Sequence, residues 1–212
     1  MSETKTSTIK TYTPKDLRQL EGSNLFGLGL YDNRGVEVNF QGTSNSYESH
    51  GGLIMPHTHQ HDEIIFLISG NYGDFNKKHI VKNTDSVSII RSGTKHGGHA
   101  NGFWISIKPK TYQTTGGSWS IRGENIDTLD YKNDYTDQPL TIVSGKDWYA
   151  QFINDLQPDF LAMTDVIGGR CPSVTVFDTT KPFDNDQVYG EKFLALKFGE
   201  IPAEFYDMHD RK

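Results

Sequence analysis

Several residue types and patterns that mark large classes of protein are scarce in this 212-residue sequence. It has a single cysteine, Cys171, which excludes a framework of intramolecular disulfide bonds. It lacks a run of about 18 apolar residues, as a membrane span requires, and an apolar segment near its start, as a secretory signal requires. Basic residues number 21 against 27 acidic ones, and the net charge of −6 argues against nucleic-acid binding. We therefore expect a cytoplasmic globular protein with no nucleic-acid or membrane partner.

Short strand-like runs dominate residues 25–108. Runs of four to eight residues recur between clusters of Gly, Asn and Asp, which is typical of an all-β sandwich or barrel. Residues 25–31 and 36–40 flank the turn-like segment 32–35 and predict a β-hairpin. The other strands predicted in this region are 52–57, 63–69, 78–82, 86–90 and 103–108.

The N-terminal region is predicted to be an arm followed by a short helix. Residues 1–12 are rich in Ser, Thr and Lys and lack hydrophobic periodicity, so we expect them to be mobile. Thr13 has the character of an N-cap, Pro14 would occupy the first helical position, and Gly22 would follow the last turn.

The second half of the chain is predicted to mix helix and strand. Ser144 and Asp147 have the spacing of a capping box, and apolar residues recur every four positions up to Leu156. This pattern predicts a helix at about 145–156. Strands are predicted at 173–178 and 193–199.

These patterns divide the chain into three parts. The arm and short helix occupy residues 1–22, a β-barrel occupies residues 23–110, and a C-terminal extension occupies residues 111–212. The extension completes the barrel, flanks it, or forms a degenerate second copy of it. The sequence leaves these alternatives open.

Histidines are concentrated in the predicted barrel, where six of the eight lie between residues 57 and 99. Because successive side chains of a strand alternate between its two faces, His57 and His59 would point the same way, and Glu63 keeps the same parity. His96 follows a turn and would begin the strand that ends at residue 108. Three imidazoles and one carboxylate could thus meet at a common centre. Such donors suit a divalent transition metal: Fe(II), Mn(II), Ni(II), Co(II) or Zn(II).

The spacing in this segment resembles the first sequence motif of the cupin superfamily, G(x)5HxH(x)3–4E(x)6G. Every fixed position of that motif is met, by Gly51, His57, His59, Glu63 and Gly70. The second cupin motif, G(x)5PxGxxH(x)3N, is met in part. Gly93 and His96 fit, Asp85 and Arg91 replace the first Gly and the Pro, and Asn101 lies one residue late.

The resemblance covers residues 25–108 and implies a cupin-type double-stranded β-helix, or jelly roll, with a mixed C-terminal extension. It implies that His57, His59, Glu63 and His96 bind the metal inside the mouth of the barrel. It does not identify a subfamily within the cupins.

Two further histidines, His61 and His99, each have two alternative roles. His61 falls in a bend between strands if the cupin spacing holds, which favours a supporting or surface position. An alternative register would use His59 and His61 as the ligand pair. His99, which follows two glycines, is a candidate catalytic base or a loop residue, and we take His61 and His99 as the candidate catalytic residues.

The predicted ligand set favours catalysis, because four protein ligands leave two positions open on an octahedral metal. We expect a dioxygenase with Fe(II) that oxidises a small organic molecule. The alternative is a Lewis-acid lyase, isomerase or cyclase in which His61, His99 or a tyrosine moves a proton. A second alternative is a cupin that binds a small molecule without catalysis. A homodimer is expected, since jelly-roll edges often pair between chains.

Overall fold

The computed structural model describes residues 9–20, 25–33, 36–43, 52–57, 63–72, 81–82, 87–90, 95–109, 121–125, 140–145, 155–167, 171–181 and 190–198. Within these ranges the backbone is almost entirely strand, and helical geometry is confined to residues 14–16 and 155–156. The prediction of an all-β fold is therefore confirmed. No helix in this described part of the chain is long and apolar enough to cross a membrane.

The strands are numbered in chain order. They are β1 (Lys10–Tyr12), β2 (Arg18–Gln19), β3 (Leu25–Asn33), β4 (Val36–Thr43), β5 (Gly52–His57), β6 (Glu63–Tyr72), β7 (Val81–Lys82), β8 (Val87–Ile90), β9 (His96–Pro109), β10 (Ile121–Asn125), β11 (Leu140–Gly145), β12 (Phe160–Ile167), β13 (Cys171–Phe177) and β14 (Lys192–Phe198).

The first sheet contains β2 to β9 and is antiparallel throughout. Its main path is β2-β3-β4-β9-β6-β7, while β5 pairs with β9 and β8 pairs with β6. The long strand β9 organises it, because its first residues pair with β5 and its last residues pair with β4. The other side of β9 pairs with β6.

The second sheet runs β1-β13-β12-β14-β11-β10. Its pairs are antiparallel except for β10 and β11, which are parallel. It combines strands of the predicted C-terminal extension with β1 from the predicted N-terminal arm. The division into residues 1–22, 23–110 and 111–212 stays a prediction.

One shared hydrophobic core lies between the two sheets. Every second residue of β4, β6 and β9 packs against every second residue of β11, β12 and β14, as the two-residue period of a strand requires. The fully buried members include Phe40, Ile64, Phe66, Ile105, Ile107, Leu194 and Leu196. Two antiparallel sheets packed in this way form the sandwich of a jelly roll.

Each sheet also buries its other face. In the first sheet that face carries Ile54, Ile65, Leu67, Tyr72, Ala100 and Trp104, which form one cluster. In the second sheet it carries Val143, Leu161, Met163, Phe177, Phe193 and Ala195. Strand β6 is therefore apolar on both faces, which explains why its sequence shows a continuous apolar run instead of alternation.

Gly70, the last fixed glycine of the first motif, lies where the backbone conformation favours glycine. Its φ of +80° lies in the left-handed region that other residues adopt at a cost. A Cβ atom there would also collide with the carbonyl oxygen of Asn101 on the paired strand β9. The close approach of β6 and β9 at this point depends on the missing side chain.

The predicted strands of the first half are confirmed within the described residues. The hairpin of residues 25–31 and 36–40 is present as β3 and β4, and both strands are longer than predicted. Of the predicted strand 78–82, residues 81–82 are strand, and residues 78–80 lie outside the described residues. The predicted strands 173–178 and 193–199 correspond to β13 and β14.

The prediction for the N-terminal region is wrong in two respects. Residues 10–12 are not a mobile arm, because they pair with β13. The predicted helix is a single 3-10 turn at Pro14–Asp16, closed when the backbone N–H of Thr13 donates to Oδ2 of Asp16 at 2.7 Å. The chain then extends, since pairing of β2 with β3 outweighs weak local helix propensity.

The second half was predicted less completely. Strands β11 and β12 were not predicted, and both lie in the centre of the second sheet. Gly145, the first residue of the predicted helix 145–156, belongs to β11 instead. Residues 155–156 are helical, and residues 146–154 lie outside the described residues.

Candidate metal centre

Three of the predicted ligands lie at the ends of neighbouring strands. His57 is the last residue of β5, Glu63 is the first of β6, and His96 is the first of β9. A register shift between Ile54 and His57 aligns His57 directly opposite His96 on the paired strand. The two imidazole ring centroids are 4.2 Å apart, and the ring planes are tilted by 56°.

The Glu63 carboxylate completes this group. Its Oε2 atom lies 3.4 Å from Nε2 of His96. One ligand atom from each of His57, Glu63 and His96 lies within 4.8 Å of the other two. Ligands bound to one transition metal at bonds of about 2.1 Å are themselves about 3 to 4 Å apart. The three side chains therefore fit a common metal ion after small movements.

The centre has a buried side and an open side. Glu63 is 7% exposed and His96 is 4% exposed, whereas His57 is exposed. Burying a carboxylate is costly unless it gains a charged or hydrogen-bonding partner. A cation between Glu63 and the two imidazoles would add a charged partner to those that Glu63 already has, and the exposed side at His57 would admit a small molecule.

Strong curvature of β9 brings these groups together. Glu63 interacts with both His96 and Ser106, although these two residues are ten positions apart on the same strand. Ten residues of straight strand span about 33 Å. Strand β9 must therefore bend between His96 and Ser106 for both residues to reach Glu63.

Ser106 was not predicted as a site residue. Its Oγ donates a hydrogen bond to Oε1 of Glu63 at 2.6 Å, and its side chain is fully buried. The sequence did contain a signal for it. Ser106 interrupts the apolar run 103–107, and it has the same strand parity as His96.

An apolar cluster covers the same face of the first sheet as Glu63 and Ser106. Within it, the ring of Tyr72 packs edge-on against Trp104 with centroids 5.1 Å apart. The indole Nε1 of Trp104 donates to Oε1 of Gln41 at 3.0 Å, so a buried polar pair lies within this wall. This face of the sheet thus combines apolar side chains with a few hydrogen-bonded polar groups, as the walls of small-molecule sites do.

Tyr72 stays protonated in this environment. Burial raises the pKa of its hydroxyl well above the ordinary value of 10, and the negative charge of Glu63 raises the pKa further. At neutral pH the side chain is therefore a neutral phenol that can donate a hydrogen bond. It cannot serve as the tyrosine base considered from the sequence unless a bound cation or ligand lowers that pKa.

The remaining predicted residues are described in part or lie outside the described residues. His59 and His61 lie outside them, together with the choice between the two ligand registers. The backbone of His99 belongs to β9 and pairs with Leu53, while its side chain lies outside the described residues. The predicted start of β9 at His96 is confirmed.

Comparisons with known proteins find cupins of solved structure. This chain is similar to KdgF from Halomonas sp., with 15% sequence identity and a TM-score of 0.38; the alignment covers 46% of this chain and 88% of KdgF. It is also similar to an RmlC-like cupin from Shewanella frigidimarina, with 12% sequence identity and a TM-score of 0.37. That alignment covers 47% of this chain and 89% of the cupin. A cupin 2 conserved barrel domain protein from Leptotrichia buccalis aligns over 90% of this chain and 96% of its own, at 11% identity and a TM-score of 0.46. No protein-family model and no curated protein sequence matches the chain.

Proposed function

We propose that this protein is a metal-dependent cupin enzyme that acts on a small organic molecule, and that it is a non-heme Fe(II) dioxygenase. The observation that carries the proposal is the convergence of His57, Glu63 and His96 from three separate strands, with ligand atoms within 4.8 Å of one another. The first cupin motif, which is met at all five fixed positions, supports the same ligands and adds His59.

The ligand residues would hold the ion through imidazole nitrogens of His57, His59 and His96 and through a carboxylate oxygen of Glu63. Fe(II) held there would supply one-electron chemistry with O₂. The rest of the site would bind and enclose the substrate. Leu67 and Trp104 would form part of its apolar wall, and the exposed side of His57 would form its entrance.

Two residues are proposed to move protons at this site. His61 and His99 are the candidate bases, as the sequence predicts, because an unperturbed histidine changes its charge near neutral pH. Tyr72 would serve as a hydrogen-bond donor to the substrate, since its raised pKa keeps the phenol protonated.

Tyr72 also favours a second candidate function. A Lewis-acid lyase or isomerase needs a metal that polarises a carbonyl group and a nearby group that transfers a proton. A buried, neutral phenol could donate a hydrogen bond to the polarised carbonyl oxygen, while His61 or His99 would transfer the proton. Zn(II), Ni(II), Mn(II) or Co(II) would serve in this chemistry as well as Fe(II).

Metal analysis and oxygen consumption together test the proposal. The protein is purified without chelators, its metals are measured, and the iron-loaded form is tested in an oxygen electrode with a panel of small carbonyl and hydroxy acids. Substrate-dependent O₂ uptake that is lost in His96→Ala supports the dioxygenase. Anaerobic turnover with Zn(II) or Ni(II) supports the lyase or isomerase. Stoichiometric metal without turnover favours the non-catalytic binding protein, and failure to bind any metal contradicts all three.

A further inference from the structure

The position of Ser106 follows from the register of the first sheet. Ser106 on β9 is paired with Ile65 on β6, and Glu63 precedes Ile65 by two residues. Residues two apart on a strand share a face. Ser106 and Glu63 are therefore diagonal neighbours on the same face of the sheet, which is close enough for a serine hydroxyl to reach a glutamate carboxylate.

The hydrogen bond between Ser106 and Glu63 is short and buried. The Oγ atom of Ser106 lies 2.6 Å from Oε1 of Glu63, and Ser106 is fully buried. A charge-assisted hydrogen bond from a hydroxyl to a carboxylate has about this length. An ionised carboxylate only accepts hydrogen bonds, so the hydroxyl must donate.

The two oxygens of Glu63 consequently have different neighbours. Oε1 accepts the hydroxyl of Ser106, and Oε2 faces the ring of His96 at 3.4 Å. The hydrogen bond also restricts rotation of the carboxylate about its last side-chain bond. Oε2 is therefore the oxygen that lies toward the ring of His96.

We propose that Ser106 is a positioning residue that holds Glu63 so that the carboxylate offers a single oxygen, Oε2, to the metal ion. This inference rests on the proposed metal-binding function. Ser106 acts through Glu63 and does not itself bind the ion. Groups that orient a metal ligand in this way typically contribute a factor of about 10 to 100 to metal affinity.

Removal of the hydroxyl has two expected consequences. Ser106→Ala should weaken Co(II) binding about 10- to 100-fold, because Glu63 loses the partner that orients it. It should also change the visible absorption spectrum of the Co(II)-loaded protein, because Oε1 becomes free to bind the ion as well. A spectral change reports on the coordination of the metal, which a purely structural role for Ser106 would leave unaltered.

The experiment compares matched variants of the full chain loaded with Co(II). Affinity is measured by competition with a chromophoric chelator, and folding is monitored by circular dichroism and urea unfolding. Ser106→Thr keeps a hydroxyl and should restore most of the affinity and the original spectrum. Ser144→Ala is the control, since Ser144 is 1% exposed in β11 of the second sheet and its Oγ has no hydrogen-bond partner among the described residues. It should leave affinity and spectrum unchanged.

A double-mutant comparison tests whether Ser106 acts through Glu63. Glu63→Gln should weaken Co(II) binding by itself, and adding Ser106→Ala should then cause little further loss. Full additivity of the two losses would contradict the inference.

The outcomes also separate this inference from the proposed function. If the wild-type protein binds no Co(II), the metal site itself is refuted. If it binds Co(II) and Ser106→Ala binds with the same affinity and spectrum, the metal site stands and the role of Ser106 is refuted.

Discussion

Each of the two sheets has one face that points away from the shared core. These two faces differ in composition, although both sheets consist mainly of antiparallel strands. On the first sheet, buried apolar residues share the face with the polar side chains Gln41, Glu63, His96 and Ser106. On the second sheet, the corresponding cluster consists of Val143, Leu161, Met163, Phe177, Phe193 and Ala195. In the described part of the chain, the group of His57, Glu63 and His96 is the one set of three His, Cys, Asp or Glu side chains close enough to hold a metal.

The difference between the two faces distinguishes residues that stabilise the protein from residues that give it a function. Apolar burial contributes to the stability of both faces at about 25 cal/mol per Å². A carboxylate and an imidazole are costly to bury, so the burial of Glu63 beside His96 on the first face indicates a requirement other than folding. The comparison predicts that substitutions on the first face change metal binding and that substitutions on the second face change stability.

The largest effect is expected from His96→Ala. The variant should lose stoichiometric metal and all activity, because the imidazole of His96 lies within 4.8 Å of the proposed ligand atoms of His57 and Glu63. His57→Ala should behave in the same way. Metal per chain is measured by elemental analysis, with circular dichroism as the check that the sheets are intact. Retention of the full metal content in either variant would refute the ligand assignment, whereas His61→Ala should keep the metal unless the alternative register applies.

The next largest effect is expected on the second sheet. Phe193 is 1% exposed in its apolar cluster, and Phe193→Ala should lower the free energy of unfolding by about 3 to 5 kcal/mol. Urea unfolding measures this loss, and Phe193→Leu should lose less because it leaves a smaller cavity. The folded fraction of Phe193→Ala should bind metal with unchanged affinity. A large loss of affinity would show that the two faces are not independent.

A smaller effect is expected at the contact between the sheets. Lys192 of β14 is 5% exposed, and its Nζ donates to the carbonyl oxygens of Leu67 and Ile68, both at 3.3 Å. These carbonyls lie where the pairing of β6 and β9 shifts register. Lys192→Met keeps the length of the side chain and should lower the free energy of unfolding by about 1 to 3 kcal/mol through loss of these bonds. Unfolding midpoints in urea would test this, and an unchanged midpoint would contradict it.

The smallest effect is expected at the N-terminal turn, which packs near β13 and precedes β2. Hydrogen bonds from the backbone N–H and the hydroxyl of Thr13 lower the pKa of Asp16. A carboxyl group whose pKa falls on folding adds stability above its ordinary pKa of 3.8, and this stability is lost as the pH falls through the lower folded value. Asp16→Asn should therefore have a slightly lower Tm than the wild type at pH 7, and the difference should shrink in acid. A difference that grows in acid would contradict this assignment.

Local patterns in the sequence predicted a substantial part of this structure. The hairpin of β3 and β4, the strands β5, β6 and β8, and the start of β9 at His96 all follow from short apolar runs bounded by turn residues. The same reasoning placed Glu63 and His96 among the ligands. These predictions depend on strand alternation and on the donor preferences of metals, both of which act over a few residues.

Predictions failed where pairing between distant residues outweighed local preference. The segment after Pro14 has the local signals of a helix, yet it extends because β2 pairs with β3. Residues 10–12 have no strand pattern of their own, yet they pair with residues 174–176 of β13. In both places the backbone hydrogen bonds are satisfied by a partner that no local window of sequence contains.

The sequence alone predicted which kinds of side chain could bind a metal. It also predicted how these side chains alternate along the strands. Their meeting at one point was decided by the folded chain. It requires the register shift that sets His57 opposite His96, and the curvature of β9 that brings His96 and Ser106 to the same carboxylate. Both features arise from the packing of segments far apart in the chain, and packing of that kind has no counterpart in any short stretch of sequence.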